Sequence, residues 1–86
     1  MFYKHVDMFE RSTDGAIRRF RCLYDVESQK YCVQNADMLY RDSDLAQLDR
    51  LFIELLSEVS PNERAQFFET VEEAIENHKK QFGEIA

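Results

Sequence analysis

The sequence predicts an α+β fold: a three-stranded antiparallel β-meander with one face packed by a C-terminal antiparallel helix pair, in the order βββαα. Two observations carry this. Apolar residues alternate with polar ones over the first forty positions, and from Arg41 onward their spacing changes to about 3.6. The 86 residues make one domain, 1–86, with the sheet in 1–40 and helices over 43–59 and 61–82.

The first run, FYKHVDMFER, ends at Ser12-Thr13-Asp14-Gly15, a turn signal closed by a glycine that tolerates positive φ. The turn admits two registers: a two-residue Asp14-Gly15 turn sets Phe9 opposite Phe20, whereas the preferred three-residue loop, with Gly15 in the left-handed position, sets Met8 opposite Phe20, Val6 opposite Cys22 and Phe2 opposite Val26. It gathers Phe2, Val6, Met8, Phe20, Cys22, Tyr24 and Val26 on one inward face and brings Glu10 to Arg18 and Asp7 to Arg21, leaving Lys4 as the misfit. A tight turn at Ser28-Gln29 then pairs Val26 with Tyr31 and Tyr24 with Val33. In this register Cys22 points inward and Cys32 outward, so the two thiols cannot bond to each other.

RDSDLAQLDRLFIELLSEVS places Leu45, Leu48, Leu51, Phe52, Leu55, Leu56 and Val59 on one helical stripe, with Asp42 or Ser43 as the N-cap. Ser60-Pro61-Asn62-Glu63 starts a second helix, with Ser at the cap, Pro at the first helical position and Glu completing a capping box. Its apolar stripe runs Phe67, Phe68, Val71, Ala74, Ile75, His78 and Phe82 and stops near Gly83. Thr70-Val71-Glu72-Glu73 is a second capping box that would allow a break at Phe68-Glu69. One continuous helix is preferred because the stripe keeps its phase.

Composition narrows the function classes. A chain of this length buries roughly 60 to 65% of its unfolded surface, and 44% apolar residues with a single Pro and two Gly leave no linker or low-complexity segment. No run of 18 apolar residues occurs and the charged N-terminal stretch is no signal peptide, so a cytoplasmic location with reduced thiols is expected. The net charge is −6. Residues 1–42 balance seven bases with seven acids, and residues 43–86 hold four bases and ten acids. An acidic half disfavours membranes and nucleic acid and suits a basic protein partner.

Catalytic and metal-site candidates are few. Cys22, Cys32, His5 and His78 share no nucleophile–base motif and no metal-ligand spacing, and no glycine-rich loop exists to hold phosphate; no cofactor is expected. Two contact surfaces are predicted instead. One is the outer sheet face, where Phe9, Arg19, Arg21 and Leu23 interleave arginines with apolar anchors. The other is a ridge of Glu69, Glu72, Glu73 and Glu76 opposite the phenylalanines of the second helix, whose like-charged i,i+4 pairs cost roughly 0.2 to 0.5 kcal/mol each.

The expected function is a small acidic non-enzymatic protein-interaction module. It would be of the inhibitor or immunity-protein type, acting by occupying the surface of another protein. The alternative is a structural homodimer formed through the outer sheet face or the third-strand edge, and the third reading is single-stranded nucleic-acid binding on the outer sheet face.

Overall fold

Alternation does build a sheet. The computed structural model describes residues 2–82, and β1 (Tyr3–Arg11), β2 (Ile17–Asp25) and β3 (Lys30–Leu39) form an antiparallel meander in the order β1-β2-β3. Helical elements follow at α1 (Leu45–Glu58), α2 (Pro61–Arg64) and α3 (Val71–Gln81). The α+β class and the three-stranded antiparallel meander are those the sequence predicts. Gly83, the expected helix stop, lies outside the described residues.

The first hairpin has the expected register, with Val6 opposite Cys22 and Met8 opposite Phe20. Ser12 N–H donates to Ala16 C=O at 2.9 Å and Gly15 N–H to Ser12 C=O at 3.0 Å. Gly15 takes φ +92°, and Asp14 accepts from Ala16 N–H at 3.1 Å. The second hairpin departs from expectation. Its loop is longer, pairing Asp25 with Lys30 and Tyr24 with Tyr31, so Val33 faces Cys22 instead of Tyr24. The Asp25 carboxylate stabilises this wider loop by accepting from Glu27 N–H at 2.9 Å, and Gln29 closes it at φ 58°. Phe2 and Val26, expected inward, are both exposed.

A bulge in β3 matters more. Cys22 pairs with Val33 but Arg21 pairs with Asn35, leaving Gln34 as the extra residue. Beyond it the parity of β3 flips. Ala36 therefore joins Phe20 on the first face, while Asn35 and Asp37 move to the face of Arg19 and Arg21.

The helices divide between the two faces rather than sharing one. Phe20, Cys22, Val33 and Ala74 form the first core cluster, with Val71, Ile75 and Phe68 packed against it. Leu23, Cys32 and Phe52 form the second, with Leu56, Ala65 and Phe67 around it. Thus α3 covers the first face and α1 the second. Between them the chain wraps the β3 edge: Gln34 Nε2 lies 3.3 Å from Pro61 C=O, and Arg64 Nη2 donates to Gln34 C=O at 3.0 Å. Phe68 and Tyr31 exchange two backbone hydrogen bonds of 2.7 Å.

That bridge explains why the expected continuous helix 61–82 does not form. Residues 65–70 run extended along the sheet edge, so Phe67 and Phe68 point to opposite sides and each enters a different core. Helix restarts at Thr70, whose Oγ1 accepts from Glu73 N–H at 3.1 Å, the second capping box of the sequence. In α1 the N-cap is Asp44, beyond the expected Asp42 or Ser43, because its carboxylate accepts from Gln47 N–H at 3.0 Å.

Candidate functional site

The alternation that placed arginines on the second face of β2 puts them beneath α1, not in solvent. Arg21 is 1% exposed, Arg19 and Leu23 are also buried, and Cys32, expected to be half-exposed, is fully enclosed. Three of the predicted contact residues, Arg19, Arg21 and Leu23, therefore lie inside the protein and form no outer surface for a protein or a nucleic-acid strand. Phe9 alone of that set stands out in solvent, at 62% exposure.

Burial of two guanidinium groups demands partners. Arg21 Nε donates to Asp37 Oδ2 at 2.8 Å and its Nη2 to Asp49 Oδ1 at 2.6 Å, joining β3 to α1. Arg19 Nη2 donates to the same Asp37 oxygen at 3.2 Å and lies 3.6 Å from Asp49. The Arg21 guanidinium also sits 5.0 Å from the centroid of the Phe52 ring, on which His5 stacks at 5.1 Å. Burial opposes the charge on Arg21, but hydrogen bonds to Asp37 and Asp49 outweigh it and hold its pKa above the ordinary value. The Arg21 hydrogen bond in turn lowers the pKa of Asp49.

Beside this cluster a hollow of about 290 Å³ opens between β1 and α1, lined by His5, Asp7, Arg19, Arg21, Asp49, Phe52 and Ile53. His5 Nε2 lies 2.7 Å from Asp7 Oδ1 at its margin. The two arginines are matched by Asp37 and Asp49, so the hollow offers no surplus positive charge to an anion. A wider hollow of about 530 Å³ separates the first hairpin turn from Leu39, Tyr40 and Arg41.

The remaining chemical candidates do not converge. Burial pushes the Cys22 thiol up to about 12 and raises Cys32 as well, so both are held as neutral thiols, in different core clusters. His78 makes ring contacts with Phe20 and Phe82 under α3, on the face away from His5. Among the described residues no group of His, Cys, Asp and Glu is arranged to hold a metal ion, and no helix is long and apolar enough to cross a membrane.

Glu69, Glu72, Glu73 and Glu76 are all exposed, but only the last three stand on α3; Glu69 lies in the non-helical stretch before it, so the expected i,i+4 pair of Glu69 with Glu73 does not form. Two of the four have local roles. Glu73 Oε1 accepts from the Thr70 hydroxyl at 3.1 Å, and Glu69 lies 3.9 Å from Lys30.

Sequence reasoning missed a further surface on α1. Its apolar stripe is wider than the face it lays on the sheet. Phe52 is its buried residue, whereas Leu45, Leu51 and Ile53 are 50%, 48% and 58% exposed, and Leu48 and Leu55 are half-buried. Arg21 holds Asp49, and by helical spacing Leu51 lies on the opposite flank beside Leu48 and Leu55, whereas Leu45 and Ile53 stand one turn to either side of Asp49. Exposed Asp42, Asp44, Glu54 and Glu58 lie along the same stretch. No protein-family model matches this chain, and neither a curated protein nor a solved structure matches it.

Proposed function

We propose that this protein is a small acidic protein-interaction module, without catalytic chemistry of its own, that works in the cytoplasm as an inhibitor or immunity-type protein by covering the surface of a basic partner. The observation that carries the reading is the outward leucine flank of α1. Half-exposed Leu51, with half-buried Leu48 and Leu55 beside it at helical spacing, makes an apolar centre, and Asp44, Glu54 and Glu58 make an acidic margin. Apolar anchors desolvated at a centre, with charges at the rim, are how protein interfaces combine affinity with rapid, salt-sensitive encounter. The glutamates of α3 add to the field that would steer a basic partner without needing to touch it.

The test begins with capture from the native host and identification of a stoichiometric partner by mass spectrometry. Association is then measured with purified components. Leu51→Asp, an exposed change expected to leave the thermal melt in place, should weaken binding at least about tenfold. Replacing Glu69, Glu72, Glu73 and Glu76 together by Gln should slow association and flatten its salt dependence. A recovered partner that binds Leu51→Asp as tightly as the unaltered chain would sink the α1 surface.

A further inference from the structure

The part of the third strand nearest the second hairpin is covered by the chain itself, through Tyr31 and Gln34, whereas no strand among the described residues pairs with the outer edge of β1. β1 is the outer strand of the sheet on the side away from β3, nine residues long and without proline. Neither of its faces is fully roofed, because α3 lies mainly over β3. Lys4, His5 and Phe9 are exposed, and even the inward-facing Val6 and Met8 are only half-buried. An open strand of this length is a template for pairing.

The ladder fixes which residues would pair. Val26 N–H donates to Phe2 C=O and Ser12 N–H to Ala16 C=O, so even-numbered residues of β1 hydrogen-bond to β2. By the alternation of an antiparallel ladder, His5, Asp7 and Phe9 turn their backbone N–H and C=O toward the open side.

We infer that β1 pairs antiparallel with β1 of a second copy of this chain, about a two-fold axis at Val6, to give a continuous six-stranded sheet. In this register His5 faces the partner's Asp7, Tyr3 faces the partner's Phe9, and Val6 faces the partner's Val6. Each Phe9 gains an aromatic neighbour, and the His5–Asp7 pair of one chain meets that of the other with opposite groups aligned. Neighbouring registers are poorer. An axis at Asp7 sets carboxylate against carboxylate, one at His5 sets imidazole against imidazole, and one at Met8 sets Asp7 against Phe9, so none of the three brings His5 to the partner's Asp7. The interface lies on β1, so it stands or falls separately from the proposed partner surface on α1.

Sedimentation equilibrium over a series reaching high micromolar concentration, together with disulfide trapping, tests the pairing. A dimer is expected. Phe9→Pro, which removes an outward N–H and the aromatic contact but no bond to β2, should raise the dimer Kd at least about tenfold. Val6→Cys should cross-link efficiently under mild oxidation with diamide, since directly opposed residues of a non-hydrogen-bonded pair lie about 4.5 Å apart. Cys22 and Cys32 are buried and stay silent. A monomer throughout the series overturns the inference, and so does a dimer that cross-links faster through Leu51→Cys than through Val6→Cys. If Phe9→Pro fails to fold, the two cysteine variants decide the question alone.

Discussion

Arg21 and Asp49 meet at 2.6 Å although β2 and α1 are far apart in the chain, and through this contact the first helix is tied to the sheet. The guanidinium also holds Asp37, whose side chain is 13% exposed, so each member of the cluster depends on the others.

Removing one partner should therefore cost far more than an exposed ion pair does. Arg21→Ala leaves Asp37 buried beside Arg19 alone and is expected to destabilise by about 3–5 kcal/mol. Combining Arg19→Met and Arg21→Met with Asp37→Leu removes all three buried charges together and should recover much of the loss. Urea unfolding of the single and triple variants measures the difference. A single variant within about 1 kcal/mol of the unaltered chain would mean the cluster is solvated.

Acid should weaken the same junction. Asp49 has its pKa lowered by the Arg21 hydrogen bond, and Glu10 by its hydrogen bond to Lys79 at 2.6 Å. A carboxylate with a depressed folded-state pKa contributes stability that is fully present above its unfolded pKa, about 4, and is lost as pH falls through the folded value. Stability is thus expected to be flat near neutrality and to fall below about pH 4. Asp49→Asn should show a shallower fall, measured by thermal melts across the acid range.

Phe52 is the buried residue of α1, and its ring touches both the Arg21 guanidinium and the His5 imidazole. Phe52→Ala should cost about 3–5 kcal/mol. Because little else of α1 is buried, the loss should appear first as faster amide hydrogen exchange in α1, with α3 still protected.

Thr70→Ala tests the restart of the helix after the Tyr31–Phe68 bridge. Loss of the Oγ1 acceptor for Glu73 N–H is expected to cost about 1 kcal/mol. The bridge should survive, so Tyr31 and Phe68 amides should keep their protection.

Local signals were readable in the sequence because their causes are local. Asp14-Gly15 marks the first hairpin loop, and of the two registers it admits, the apolar face and the Glu10–Arg18 pairing select the one that sets Val6 opposite Cys22. The capping box at Thr70 is equally self-contained. What escaped the sequence depends on distant partners. Arg19 and Arg21 alternate with apolar residues as a solvated face would, and their neutralisation comes from Asp37 and Asp49 in other elements. The Gln34 bulge that delivers Asp37 to them has no signature in the residues around it. Phe67-Phe68 keeps helical phase in the sequence, yet its backbone is claimed by Tyr31 across the sheet edge. The outward flank of α1 follows from the Arg21–Asp49 bond and could not be read before that bond was known. Of the residues singled out in advance, Phe9 and the four glutamates are exposed where expected, and Arg19, Arg21 and Leu23 are not.

The wrapping of the chain around β3 sets a limit on growth. Phe68 occupies the backbone of Tyr31, and Arg64 takes the carbonyl of Gln34, so the half of that margin nearest the second hairpin is engaged from within. A strand arriving from outside finds the full length of one margin and only the far half of the other. Lateral addition is thereby steered toward a finite pair of molecules, because a ribbon of stacked sheets would have to grow from that shortened run.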